Sequence, residues 1–319
     1  MHRLQSFPSL KRLAFLSPQS QDLVAAYLTH LQARQYAATT VTSTLDALKS
    51  FGVLLPATRQ PCLYQDLTAT RAADVEAWLL AAHRKGLAPS TINHLLSVMH
   101  RFFGFLHERG LVAQKPIHWR RHQVIVPQSL PKPMHEDDLI QLFRVIDRLR
   151  DRTMFLLMVR CGLRVGEVSA LTWASINFKA GSIRIDNSKG QVDRVVYFSL
   201  DADKALHQWR HTQPFEATYV FPSPLQPGTP LSVRAIQHLM AKYRKAAGIT
   251  KPYSPHALRH TFATHLLNAG APLEVVKELM GHRSISMTLR YTQLYDATTR
   301  DQYYRAMERL ETRQAFLEG

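Results

Sequence analysis

Between Lys115 and Pro133 the chain carries Pro116, Pro127, Pro131 and Pro133, interleaved with Arg120, Arg121, His122 and Lys132. Proline fixes φ and lacks an amide hydrogen, so this spacing stops a helix or an inner strand from running through. Nineteen such residues are long for a connection within one domain. The stretch therefore predicts an extended basic connector, residues 117–134, between a first domain, 1–116, and a second, 135–319. A chain of 319 residues is long enough to build two cores. With 45% hydrophobic and 20% charged residues it has the composition of a globular protein, which excludes a disordered or low-complexity chain.

The charge is strongly basic, +16 in all, with +9 before Met134 and +7 from there on. Both parts therefore expect a polyanionic partner, although charge alone does not choose among DNA, RNA and anionic lipid. No run of about 18 apolar residues occurs, and the basic N-terminus lacks a continuous apolar core, so neither a membrane span nor a secretory signal is expected. The expected location is the cytoplasm. Cys62 and Cys161 lie far apart and without ligand spacing, so neither a disulfide framework nor a zinc site is expected.

In the first part, Leu23, Val24, Tyr27, Leu28 and Leu31 fall on one face of a helix over residues 20–34, and a second helix is expected after Thr39. Residues 74–83 and 90–108 repeat the pattern, the latter with Ile92, Leu95, Leu96, Met99, Phe102, Phe103 and Leu106 and with Ser90 as N-cap. This predicts a four-helix domain. The second part reads as two helices, then strands at 175–178, 182–186 and 194–199 turned by Gly181 and Lys189-Gly190, then helices again. Ser254 is the expected N-cap of one late helix, with Pro255 at its first position, and Gly281 closes another. Tyr303, Met307, Leu310 and Phe316 predict an amphipathic C-terminal helix over 298–316. The expected fold class is mainly α with a small antiparallel β-sheet.

Five segments of the second part form an ordered set: Cys161-Gly162-Leu163-Arg164-Val165-Gly166-Glu167, Asn187 to Arg194 around Lys189, Ser254-Pro255-His256-Ala257-Leu258-Arg259-His260, Leu279-Met280-Gly281-His282, and Met287-Thr288-Leu289-Arg290-Tyr291. In order and spacing they resemble the tyrosine site-specific recombinases of the phage-integrase family, in particular two-domain members of the Xer and transposon types. The resemblance implies an N-terminal helical domain that binds core DNA and an α+β catalytic domain. It implies Arg164, Lys189, His256, Arg259 and His282 as catalytic residues, Tyr291 as nucleophile and Glu167 in support. It further implies double-stranded recombination sites as substrate, a 3′-phosphotyrosyl intermediate, strand exchange through a Holliday junction, and a dimer on each site that becomes a tetramer in the synapse. The C-terminal helix would dock on a neighbouring protomer. Arg120 and Arg121 in the connector are the expected DNA contacts.

The residue types suit this chemistry. His256 and Arg259 stand three apart on a helix and project from one face toward one phosphate. Phosphoryl transfer gathers negative charge on the non-bridging oxygens, and the planar donor fork of arginine stabilises it better than a point charge does. A phenol of reference pKa near 10 needs a base or cationic neighbours before it attacks at neutral pH. The 5′ oxygen needs a proton as it leaves, and a lysine on a turn can deliver it. No cofactor or metal is expected. His256 and His260 at i and i+4 lack the glutamate of a zinc-protease helix, and Ser188-Lys189-Gly190 lacks the glycine spacing of a Walker A loop. Two other readings use much of the same evidence: a type IB-like topoisomerase, and a non-enzymatic DNA-binding protein, which needs no nucleophilic tyrosine.

Overall fold

A computed structural model describes residues 13–54, 66–127, 132–186, 193–281 and 288–289. The chain forms two compact units, Met1–Gln128 and Ser129–Gly319.

The first unit is built on helices α1 (Pro18–Ala33), α2 (Ala38–Leu54), α3 (Ala72–Arg84) and α4 (Pro89–Glu108). The Ser17 side chain caps α1 by accepting the Ser20 amide at 3.2 Å. All seven apolar residues predicted for the inner face of α4 are buried. Their core is aromatic: Phe51 lies against Trp78 with ring centroids 5.5 Å apart, and Tyr27 meets Phe102 edge-on at 5.4 Å. The N-cap of α4 is Ala88 rather than Ser90, because Pro89, with its fixed φ and missing amide hydrogen, fits the first helical position.

Where the sequence predicts an extended connector from residue 117, the chain first makes a helical turn, α5 (Trp119–His122), packed on α3 and α4. Ile117 is buried in the first core, and the Asn93 amide on α4 exchanges hydrogen bonds with the backbone of Val124, at 2.7 and 2.9 Å. These anchors hold the segment through Val124 on the first unit. Ile125, one residue on, is 89% exposed.

The second unit begins with α6 (Glu136–Val145), whose first turn carries Glu136, Asp137 and Asp138 at the positive end of the helix dipole. Its central helix is α7 (Leu149–Arg160), which packs on later helices along most of its circumference and buries Met154, Phe155, Leu157, Met158 and Val159. Helix α8 (Val165–Ala170) leads into a three-stranded antiparallel sheet of β1 (Ile176–Asn177), β2 (Ser182–Ile185) and β3 (Arg194–Tyr197). Ile183 pairs with Val196 and Ile185 with Arg194, and all four side chains face inward. Helices α9 (Leu200–His211), α10 (Val233–Ala246), α11 (Pro255–Asn268) and α12 (Leu273–Met280) complete the unit. Both α9 and α11 pack on α7. The predicted C-terminal helix over 298–316 lies outside the described residues.

Among the described residues, the core of this unit contains one fully buried carboxylate, Asp151 on α7. It accepts a hydrogen bond from the Tyr243 hydroxyl of α10 at 2.8 Å and one from Arg150 Nε at 2.7 Å. Burial and the neighbouring Asp151 push the Tyr243 phenol upward, so it stays a donor. Tyr243→Phe should therefore leave a buried acceptor short of its partner and cost about 1–3 kcal/mol of unfolding free energy. Denaturant titration of the variant reads this, and an unchanged midpoint would show that the bond contributes nothing.

Candidate active site

The site is assembled where three chain segments meet the C-terminal end of α12. Helices leave their last carbonyls without intrahelical partners. Here Gly281 closes α12 with φ 57°, a left-handed conformation that few other residues adopt readily, and the carbonyls of residues 279–281 find acceptor roles outside the helix. Arginines from three elements donate to them. Arg164, the residue before α8, donates through Nη2 to the carbonyls of Met280 and Gly281 at 3.2 and 3.1 Å. Arg259, buried on α11, gives Nη2 to Met280 and Nη1 to the carbonyl of Gly162. Arg194, at the start of β3, donates Nε to Leu279 at 2.8 Å.

Gly162 sits just beyond α7 with φ 65°, and a Cβ there would lie 2.4 Å from the ring of Phe262. Only glycine lets this turn come so close to α11, and the approach brings its carbonyl to Arg259. Glu167, on the first turn of α8, ties the group together. Its carboxylate accepts the Arg164 amide and Nη1, both at 2.7 Å, and both terminal nitrogens of Arg194 at 2.8 Å. Arg259 Nη1 stands 4.0 Å away. Burial works to raise the Glu167 pKa, but the hydrogen bonds and charge of Arg194, with those of Arg164, outweigh it and hold it at about 2. Glu167 is thus anionic at any working pH.

His256 is one turn before Arg259 on the same helix and is open to solvent on one side. The protein against its other side, then the charges of Arg259 and Arg164, lower its pKa below the ordinary histidine value. It is neutral at pH 7 and able to accept a proton. His260, one turn further into the structure, is pushed down to about 4 by burial and by His256 and Arg259.

Of the residues expected from the sequence, the structure brings together Arg164, Glu167, His256 and Arg259. Lys189, His282 and Tyr291 lie outside the described residues, although Gly281, whose carbonyl accepts from Arg164, immediately precedes His282 in the chain. Arg120 and Arg121 belong to the other unit. Arg120 is exposed, and Arg121 forms an ion pair with Glu76 on α3. The residue that the sequence reading missed is Arg194, noted only as the end of the lysine-bearing hairpin. The available signal was strand alternation: Arg194 shares the inward face of β3 with Val196, and a buried guanidinium needs an anionic partner.

With this geometry established, comparison with known proteins identifies the class. A model of the phage integrase family matches residues 132–298, and a model of the phage integrase N-terminal SAM-like domain matches residues 60–110. The chain belongs to the phage integrase family, the tyrosine recombinases. It is 31% identical over 277 residues to the tyrosine recombinase XerC of Xanthomonas campestris pv. campestris, covering 85% of this chain and 84% of that one. In fold it is similar to the Tn1549 transposon integrase in complex with a circular intermediate DNA, with a TM-score of 0.68 and 20% identity over 90% of this chain and 99% of the integrase. It is also similar to a lambda integrase tetramer bound to a Holliday junction, with a TM-score of 0.66 and 19% identity over 82% and 77% of the two chains.

The depressed histidines predict how stability depends on pH. Above about 6.5 His260 is neutral whether folded or unfolded. Between there and about 4 the unfolded chain takes up a proton that the folded chain refuses, so stability is lost as pH falls through that window. His256, shifted in the same direction, adds to the loss. The melting temperature should fall by several degrees from pH 7.5 to pH 5, and His260→Gln should flatten the slope. A melting temperature that rises on acidification, or a slope unchanged in the variant, would contradict the assignment.

Proposed function

We propose that this chain is a site-specific DNA recombinase that breaks and rejoins duplex DNA through a covalent bond between Tyr291 and the 3′ phosphate at the cleavage point. The observation that carries the reading is the pair Arg164 and Arg259, fixed on one helix end by the shared carbonyl acceptor of Met280, with the imidazole of His256 on the same face of α11. Two held guanidinium forks suit a phosphate whose oxygens gain charge during transfer.

The steps balance without an external energy source. The Tyr291 oxygen attacks phosphorus, and its phenolic proton passes to His256. The bond from phosphorus to the 5′ oxygen breaks, and Lys189 supplies the proton that this oxygen needs. One phosphodiester is exchanged for one phosphotyrosine ester, so the energy of the broken bond is kept. A 5′ hydroxyl from the same or a second duplex reverses the attack and reseals the strand. His282, the next residue in the chain after Gly281, is assigned to the developing charge on the phosphate. The arginines and histidines take the part that metal ions play in other phosphoryl-transfer enzymes, so cleavage should persist in chelator and without nucleotide.

The XerC-type relative and the integrase neighbours seen with circular-intermediate and Holliday-junction DNA support exchange between two sites, performed by a dimer on each site and a tetramer in the synapse. The comparisons support neither a topoisomerase nor a non-enzymatic DNA binder. Among the described residues no helix is long and apolar enough to cross a membrane. The bacterial XerC relatives support a place with DNA in the bacterial cytoplasm.

Tyr291→Phe should bind DNA as the unaltered chain does and form no covalent adduct, since it removes only the attacking oxygen. The check is denaturing electrophoresis of protein incubated with labelled DNA nicked near the cleavage point. An adduct that persists in the variant would move the nucleophile to another tyrosine.

A further inference from the structure

We propose that Arg194 is a positioning residue for DNA cleavage: it holds Glu167, and through it Arg164, in the orientation and charge state that leave the two phosphate-binding arginines active. The inference rests on the recombinase reading of the site.

The geometry assigns Arg194 more than a buried ion pair. Its side chain is 3% exposed, and its donors reach two segments of chain besides its own. Nη1 and Nη2 form a parallel pair of bonds to Glu167, at the first turn of α8, and Nε binds Leu279 three residues before His282. Since Arg194 opens β3, directly after the Lys189 hairpin in the chain, one side chain joins three of the segments that bear expected catalytic residues. The packing is close as well. A Cβ at position 281 would lie 2.9 Å from Arg194 Cδ, so the glycine that turns α12 also makes room for this arginine.

A carboxylate has about four lone-pair sites, and Glu167 fills them with four bonds, two from Arg164 and two from Arg194. Arg164 cannot rotate without leaving one of those sites unfilled and buried. Charge gives the second argument. Glu167 faces Arg164, Arg194 and, at 4.0 Å, Arg259. Arg194 brings a second guanidinium to Glu167, so the charge of that carboxylate is offset by it as well as by Arg164. Without it, Glu167 cancels one of the two arginines that are meant to grip. Lysine at this position would restore the charge but neither the fork nor the third bond.

The test measures the rate of covalent adduct formation in a single turnover on nicked-site DNA, alongside DNA affinity and melting temperature, for the full chain and four variants: Arg194→Met, Arg194→Lys, Glu167→Gln and Glu167→Gln with Arg194→Met. Arg194→Met should bind DNA almost as tightly as the unaltered chain yet form adduct on the order of a hundredfold more slowly, the scale of losing one preorganised donor. Arg194→Lys should recover part of that loss. Because Arg194 acts through Glu167, the double variant should be no slower than the slower of its two parents, whereas independent effects would multiply. If Arg194→Met folds poorly, Arg194→Lys and the double variant still carry the comparison.

Adduct formation at the unaltered rate in Arg194→Met would overturn the proposal. So would multiplying losses in the double variant, or a loss of affinity and melting temperature in step with the rate, which would mark Arg194 as merely structural. If the unaltered chain itself forms no adduct, the recombinase reading fails first, a result distinct from all of these.

Discussion

The catalytic half of this molecule depends on the unpaired carbonyl end of one short helix. Three carbonyls at the end of α12, those of Leu279, Met280 and Gly281, accept hydrogen bonds from Arg164, Arg194 and Arg259, which come from the start of α8, the start of β3 and the middle of α11. A helix C-terminus carries partial negative charge as well as free acceptors, so it attracts guanidinium groups and fixes their direction. Without such acceptors, burying Arg194 and Arg259 would cost several kcal/mol for each charge removed from water. Helix end and arginines therefore have to be placed together, and Gly281 and Gly162 are the backbone devices that permit it.

Electrostatics decide what the cluster can do. If every arginine here had its own carboxylate, the site would be neutral and well packed, and it would have no use for an anion. Among the described residues the Glu167 carboxylate faces all three, and its four bonds go to Arg164 and Arg194. Burial, then the charges of Arg259 and Arg164, lower the pKa of His256, so its ring is neutral with a nitrogen open to a proton. The arginines proposed to hold the phosphate thus also act, after burial, on the histidine proposed to accept the proton.

Much of this was legible in the chain because it rests on local rules. The apolar spacing of α4, the strand order around Gly181, the Ser254-Pro255 start of α11 and the Gly281 stop of α12 are all set by a few neighbouring residues, and each stands in the structure. What the sequence hid is what depends on distant partners. Ser90 looks like an N-cap until Pro89 claims the first position. Residues 117–124 look like a linker because their anchors, Ile117 and the bond from Val124 to Asn93, are legible only once α4 is in place. Arg194 carries no motif of its own, and its importance appears only when Glu167 and Leu279 are brought beside it. Within the candidate site, the family resemblance of the sequence segments singled out Arg164, Glu167, His256 and Arg259, which the structure brings together, but the acceptors that orient the arginines include backbone carbonyls, which no residue pattern displays.

The burial of positive charge separates two uses of basic residues that the composition lumps together. Among the described residues of the first unit no lysine or arginine is buried, and its buried polar groups are Ser20, Thr44 and His122. Its basic excess therefore stays on the surface, where it attracts a polyanion at long range and gives way to salt. Among the described residues of the second unit the two buried guanidiniums, Arg194 and Arg259, both lie in the cluster at the end of α12. Buried charges are weakly screened, and directed bonds to fixed acceptors leave them little freedom to reorganise. Surface charge of the first kind suits recruiting and aligning a duplex, while buried charge of the second kind suits acting on one phosphate of it. A protein that only coated DNA would need the first alone, because desolvating two arginines around a single carboxylate stabilises no fold that an apolar cluster could not stabilise more cheaply.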